Sequence, residues 1–243
     1  MKEKHLQISE EVKAVLNRSE ITGNTLKIIE QLDRKLYVLV NKVLELAGGK
    51  WNKKAKAHIF ESDPREILQF AVENGKILDG KRTFQMFFTP PALATRMVQL
   101  AKIKSHHRVL EPSAGIGNIL KAIGDQPDKV AIEINPDLVE ALIKTGLSGL
   151  HIYQADFLSC NGSLGKFDRV VMNPPFSNGE DIKHIRHALT MLKTGGRLVA
   201  LCANGPRQVE AFKDKADYWE ELRPGSFKEA GTEVNVALLV LTT

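Results

Sequence analysis

The residues with the clearest chemical potential are Asn173, Pro174, Pro175 and Phe176, which follow the apolar run Asp168 to Met172. Two consecutive prolines fix the backbone and remove two N–H donors, so the carbonyls there face outward as rigid acceptors beside the Asn173 amide. An amine suits such acceptors, and Phe176 offers a stacking surface for a planar base. Three acids, Glu111, Glu133 and Asp156, stand at the ends of other short apolar runs. Unpaired buried carboxylates are costly in a packed parallel sheet, so acids in those places speak for a ligand. Glu133, followed by Ile134, can take two hydrogen bonds from ribose hydroxyls, and Asp156 can accept from an exocyclic amine beside the ring of Phe157. After Glu111 come Pro112-Ser113-Ala114-Gly115-Ile116-Gly117, small residues that let a ligand approach the backbone where a helix begins. Leu120 stands where a dinucleotide fingerprint needs its third glycine, and the three acids together describe a nucleoside pocket.

Such residues need elements to hold them. From residue 90 the pattern reads helix (Pro91 to Ala101), strand (Arg108 to Glu111), glycine turn, helix, strand (Lys129 to Ile134), helix (Pro136 to Thr145) and strand (Ile152 to Asp156). It continues with strand (Asp168 to Met172), helix (Glu180 to Leu192), strand (Arg197 to Cys202), helix (Pro206 to Asp217) and two strands, Ser226 to Ala230 and Val234 to Thr242. Strands alternating with crossover helices mean a doubly wound, mostly parallel α/β sheet with ligand sites at the carboxyl ends of its strands. Before residue 83 the signals are helical and basic, so the expected domains are an extension over 1–83 and an α/β domain over 84–243.

In the extension, Ser9 is expected to cap a short helix, and Ile29, Leu32, Leu36, Leu39, Val43 and Leu46 to form the apolar stripe of a longer one. Gly48-Gly49 ends that helix, Asp63-Pro64 opens a third, and Lys81 to Phe88 is expected to pair as a strand with the 55–60 segment. Lys50, Trp51, Lys53, Lys54 and Lys56 make a basic run with an aromatic inside it, a candidate nucleic-acid contact whose plain alternative is a solvated face.

The 243 residues, 43% hydrophobic and 26% charged, exclude collagen, disorder and a disulfide scaffold. The two cysteines, Cys160 and Cys202, have no metal-site or disulfide spacing, which suits a reducing cytoplasm. No apolar run is long enough to cross a bilayer, so no membrane partner is expected. A net charge of +5 favours a polyanion. Asp181, His184 and His187 share a helix face, but no further strong ligand converges on them, so no metal is expected.

In its motifs the second part resembles the amino-methyltransferases that use S-adenosylmethionine, most closely the N6-adenine DNA methyltransferases of gamma motif order. Phe88-Thr89-Pro90-Pro91 looks like their methionine-binding motif, and Glu111 to Gly117, Glu133, Asp156-Phe157 and Asn173 to Phe176 follow in the family's order. The resemblance implies a Rossmann-like class I fold, a seven-stranded mostly parallel sheet with helices on both faces, preceded by a small helical or α+β extension. It implies that Phe88, Thr89 and Pro90 cover the methionine end of S-adenosylmethionine, with Glu111, Pro112, Ala114 and Gly115 near its ammonium and carboxylate. Glu133 and Ile134 then lie at the ribose, Asp156 and Phe157 at the adenine, and Asn173 between cofactor and target. Asn173 and the Pro174 carbonyl would accept from the target amine, with Phe176 on a base flipped out of DNA. RNA amino-methyltransferases and protein glutamine methyltransferases resemble the same residues, because their targets are also planar conjugated amines; a non-catalytic subunit of this fold is a further alternative. The family's large target-recognition domain has no counterpart after Thr242. Target readout is therefore expected from residues 1–83, from the loops Ser177 to Asp181 and Gly205 to Gln208, or from a protein partner.

Overall fold

The computed structural model describes residues 5–60, 63–78, 88–222 and 235–243. The chain forms two compact units, the second beginning at Phe88. The first unit contains β1 (His5–Gln7), α1 (Glu10–Arg18), β2 (Glu20–Thr22), β3 (Thr25–Lys27), α2 (Arg34–Leu46), β4 (Lys50–Asn52), β5 (Ala57–Ile59), α3 (Arg65–Asn74) and β6 (Lys76–Leu78). Ser9 caps α1 by accepting from the Val12 N–H at 3.4 Å. Asp33 caps α2, accepting from the Lys35 and Leu36 N–H groups at 2.8 and 3.1 Å. That cap starts the helix at Arg34 and leaves Ile29 and Leu32 in the segment before it. The buried stripe of α2 is Val40, Val43, Leu44 and Ala47, so Leu39, expected inside, is 45% exposed.

Of the strands of this unit only the one within 55–60 is expected from the sequence; among the others, β2 and β3 pair as a hairpin around Gly23, a residue at φ +55°. They join β5 and β4 in an antiparallel sheet of order β2-β3-β5-β4. Both edges of β5 are thus occupied, by β3 and β4. The expected partner of β5, the strand from Lys81, lies outside the described residues except for Phe88, and β5 has no edge left for it. β1 pairs antiparallel with β6. Val12, Leu16, Leu26, Val43, Leu44, Phe60, Ile67 and Ile77 form the core of the unit.

The second unit holds α4 (Pro91–Ala101), β7 (Arg108–Pro112), α5 (Asn118–Ile123), β8 (Asp128–Glu133), α6 (Pro136–Lys144), β9 (Leu150–Gln154) and β10 (Phe167–Met172). It is completed by α7 (Glu180–Thr190), β11 (Leu192–Ala203), α8 (Pro206–Phe212), β12 (Tyr218–Glu221) and β13 (Val236–Thr242). The seven strands lie in the order β12-β13-β11-β10-β7-β8-β9. The pairs from β11 through β10, β7 and β8 to β9 are parallel, and β13 runs antiparallel to β11 and β12. β12 is not expected from the sequence, and the strand expected at Ser226 to Ala230 lies outside the described residues. Successive residues of the central strands are buried in both directions: Val170, Met172, Leu198 and Ala200 pack in one core with Ile185 and Ala188 of α7. Val171, Val199 and Leu201 alternate with them and are equally buried, on the side where α4 packs on β10 and β11. Alternation with both faces buried requires helices on both sides.

Asp181, in the first turn of α7, ties that helix to the sheet. Its side chain is fully buried and accepts from the Ala203 N–H at the end of β11 at 3.0 Å and from the Gln208 amide of α8 at 2.9 and 3.0 Å. Asp181→Ala would leave the Ala203 and Gln208 donors buried without an acceptor, each costing about 1 to 3 kcal/mol. Urea unfolding of this variant should show a stability loss of about 3 kcal/mol, with a smaller loss for Asp181→Asn.

Candidate active site

Strand order reverses between β7 and β10, since the chain passes from β7 outward through β8 and β9 and returns to β10 on the other side of β7. Such a switch point leaves a crevice at the carboxyl ends of the two strands. The register sets Val170 opposite Leu110, so Asn173 stands level with the start of the turn that follows β7. The glycine turn and the Asn173 to Phe176 motif, distant in sequence, thereby stand side by side.

The turn after β7 is wound tightly. Ser113, Gly115 and Gly117 all have positive φ, 58°, 59° and 78°. Gly117 is required twice over, because a Cβ there would meet Leu142 Cδ2 at 2.8 Å as well as adopt a left-handed backbone. The Ala114 N–H donates to the Ile132 carbonyl at 3.1 Å, and the Gly115 N–H to Glu133 Oε2 at 2.8 Å. Glu133 Oε1 accepts from the Asn135 N–H at 2.9 Å. The acid expected at the ribose therefore also fastens the glycine turn to the end of β8. Burial pushes the Glu133 carboxyl up, and hydrogen bonds from the Asn135, Gly115 and Ile134 backbones oppose that shift.

Glu111 is more isolated. It is 3% exposed, and its Oε2 has no hydrogen-bond partner among the described residues. Burial pushes this carboxyl well above the usual range, a backbone hydrogen bond from Leu120 opposes the shift, and the nearby Glu133 adds to it. Pro112, beside it at the end of β7, is buried and pairs with Ile132.

Thr89 joins the two halves of the crevice. Its carbonyl accepts from the Asn118 amide of α5 at 2.9 Å, and its hydroxyl accepts from Asn173 Nδ2 at 3.1 Å. This orientation of the Asn173 carboxamide turns its carbonyl end into the one that can accept from an amine. Phe88 is half-buried, with Cδ1 3.9 Å from the position a Cβ on Gly115 would take, and Pro90 caps α4. Asn118, which the sequence reading did not select, is thus part of the same polar chain; its position as the first residue of a helix after a glycine turn was the available signal.

Two aromatic expectations are corrected. Phe157 is 3% exposed and packs in the core, its ring centroid 4.8 Å from His187 and 5.6 Å from His184. Its faces are occupied, so it does not present a ring to a purine; Ile134 at the end of β8, 64% exposed, is the apolar side chain on that rim. Asp156 is exposed, with Oδ1 accepting from the Leu158 N–H at 3.0 Å. Phe176 is buried rather than offered as an open stacking face, while Pro174 is buried and Pro175 half-buried beside it. His184 and His187 donate to the carbonyls of Glu180 and Cys160, each at 2.8 Å, and Asp181 is committed to its clamp. In the first unit, Lys50, Trp51, Lys53, Lys54 and Lys56 are all exposed on the β4–β5 hairpin.

Among the described residues no helix is long and apolar enough to cross a membrane. The chain matches the methyltransferase small domain family over residues 94–221, more than half its length. A curated relative from Methanosarcina mazei, named "Probable ribosomal RNA small subunit methyltransferase A", is 32% identical over 108 residues; the match covers 42% of this chain and 39% of that protein. Among solved structures, TrmN from Thermus thermophilus is similar with a TM-score of 0.53 at 22% identity, over 69% of this chain and 54% of that one. The 23S rRNA methyltransferase ErmE is similar with a TM-score of 0.52 at 18% identity, over 64% of this chain and 69% of that one. With its mixed seven-stranded sheet and the crevice at the β7/β10 switch, the chain belongs to the methyltransferase small domain family and has the Rossmann-like class I fold of S-adenosylmethionine-dependent methyltransferases.

Proposed function

We propose that the second unit transfers a methyl group from S-adenosylmethionine to the N6 amine of adenine in RNA. The observation that carries this reading is the placement of Asn173, oriented by Thr89 and level with the glycine turn across the β7/β10 switch. RNA is preferred to the DNA expected from the motif resemblance because the relative from Methanosarcina mazei is named for ribosomal RNA.

The residues present fit the cofactor. Glu111 has a buried acceptor atom available for an ammonium, Glu133 keeps lone pairs beyond its two backbone bonds for ribose hydroxyls, and Ile134 gives an apolar rim. Phe88, close to Gly115, would cover the methionine end together with Thr89 and Pro90, and Asp156 would accept from the adenine amine. When bound, the cofactor supplies an electrophilic methyl on a sulfonium. The adenine amine is a weak nucleophile, because its lone pair is delocalised into the ring. Asn173 Oδ1 and the Pro174 carbonyl accept its two N–H bonds, favour the pyramidal geometry that releases the lone pair, and stabilise the positive charge that develops on nitrogen. No base is needed before attack, so the work of these residues is alignment.

Labelled cofactor incubated with RNA, DNA and protein, followed by mass spectrometry of the products, tests the substrate. N6-methyladenosine in RNA is expected; label confined to DNA, to guanine or to a glutamine amide overturns the assignment. Asn173→Ala should lower kcat by about 100-fold or more while S-adenosylhomocysteine binds nearly as before. Asp156→Ala should do the reverse, weakening that ligand by about 1.5 to 3 kcal/mol, the worth of a hydrogen bond to a charged group. Calorimetry with both variants checks the division of roles.

Glu111 makes stability depend on pH. Its folded carboxyl titrates above the ordinary value of 4.5, so between that value and the raised one the folded state holds a proton that the unfolded state has lost. Stability of the cofactor-free protein therefore falls as pH rises through this window, by up to about 1.4 kcal/mol per pH unit. Glu111→Gln, which cannot ionise, should flatten that slope and be more stable than the parent at neutral pH, while binding S-adenosylhomocysteine less tightly. Thermal melts across pH 4 to 8 read the difference.

A further inference from the structure

The hairpin β4–β5 carries a concentration of charge that no carboxylate among the described residues neutralises. Lys50 lies on β4, Lys53, Lys54 and Lys56 in and beside the turn, and all four are exposed. No carboxylate among the described residues pairs with any of them, whereas Lys13, Lys183, Lys193 and Lys213 each have one. The sequence contains no acid between Glu45 and Glu61. The turn is also well formed: Asn52 Oδ1 accepts from the Lys54 and Ala55 N–H groups, both at 3.0 Å. Four like charges gathered on a rigid turn repel one another, and a chain of phosphates relieves that repulsion.

Beside the lysines stands an aromatic platform. Trp51 is 47% exposed on β4, an edge strand, and pairs across the hairpin with His58. The two rings meet edge-on with centroids 5.2 Å apart. His58 is fully buried and is held in turn by Asn41 of α2, whose Oδ1 accepts from His58 Nε2 at 2.8 Å while its Nδ2 donates to Glu45 at 2.9 Å. Burial lowers the His58 pKa, with Glu45 opposing, so the imidazole is neutral and adds no charge beneath the indole. Trp51 is thus braced from below and open above. An exposed indole with unpaired lysines around it suits a strand whose bases are unstacked, since a duplex keeps its bases from an aromatic face.

We propose that this hairpin binds single-stranded RNA, with a base stacked on Trp51 and neighbouring phosphates on Lys50, Lys53, Lys54 and Lys56. The choice of RNA rests on the proposed function; the hairpin chemistry does not. Binding is read without turnover, by fluorescence anisotropy of a labelled single-stranded RNA oligonucleotide on the full chain at several salt concentrations. Circular dichroism and a thermal melt verify that each variant is folded. Trp51→Ala should weaken binding by about five-fold to about 150-fold, and Trp51→Phe should restore most of the loss. Replacing Lys53 and Lys54 together by alanine should lower the slope of log affinity against log salt by about 1.4, at about 0.7 per phosphate contact on a single strand. In a Trp219→Phe background, where Trp51 is the remaining tryptophan, RNA should quench its fluorescence. An unchanged slope, or equal loss for Trp51→Phe and Trp51→Ala, overturns the proposal. Tighter binding of duplex, or of a DNA strand of the same sequence, overturns it as well. Correct binding behaviour in a protein that methylates no RNA supports the hairpin and removes the proposed reaction alone.

Discussion

A parallel sheet sends all its carboxyl ends to one edge, and where strand order reverses the crossover helices leave to opposite faces. At that point, between β7 and β10, the crossovers diverge and leave a crevice at the strand ends. The glycine turn after β7 and the Asn173 motif after β10 both border this gap. Residues separated by some sixty positions in the chain stand level there because adjacent strands share a hydrogen-bond register. The rest of the second unit serves to keep that register: buried side chains on both faces of the central strands hold them in place.

Polar satisfaction explains how a crevice lined with acids stays folded. Glu133 offsets its burial with two backbone N–H donors, and in doing so holds the turn in the left-handed conformations that Ser113, Gly115 and Gly117 adopt. Asp181 does the same between α7, α8 and β11, anchoring the helix that follows the Asn173 motif. Glu111 lacks a partner for one oxygen among the described residues, and burial holds its carboxyl well above the usual range. Hydrogen bonds thus tie Glu133 and Asp181 into the framework, whereas one oxygen of Glu111 has no partner among the described residues.

The first unit uses the same rule in reverse. Its neutral, buried His58 is fastened by Asn41, and the charge is kept outside on the hairpin turn. A buried neutral base under an exposed indole costs less than a buried cation would, and it fixes the ring without competing for anions.

The order of elements in the second unit, the acid at each strand end and the Asn173 to Phe176 motif were legible in the sequence, because strand periodicity, turn chemistry and the rigidity of proline are local properties. So was the basic character of the 50–56 run. What stayed hidden depended on long-range neighbours. The sequence shows Phe157 and Phe176 as aromatics beside functional residues, but only the packing of α7 against Phe157, and the burial of Phe176, decide that neither offers an open ring face. The α2 stripe was misjudged by one position, since a thirteen-residue helix can turn either of two adjoining apolar rows inward and its partners choose. Likewise β5 takes β3 and β4 as neighbours because a strand has two edges and no local preference between partners. The Thr89 link to Asn118 and Asn173 joins segments from three parts of the chain. Hydrogen bonds of that kind leave no periodic trace, so only the tertiary structure could decide which way the Asn173 amide faces.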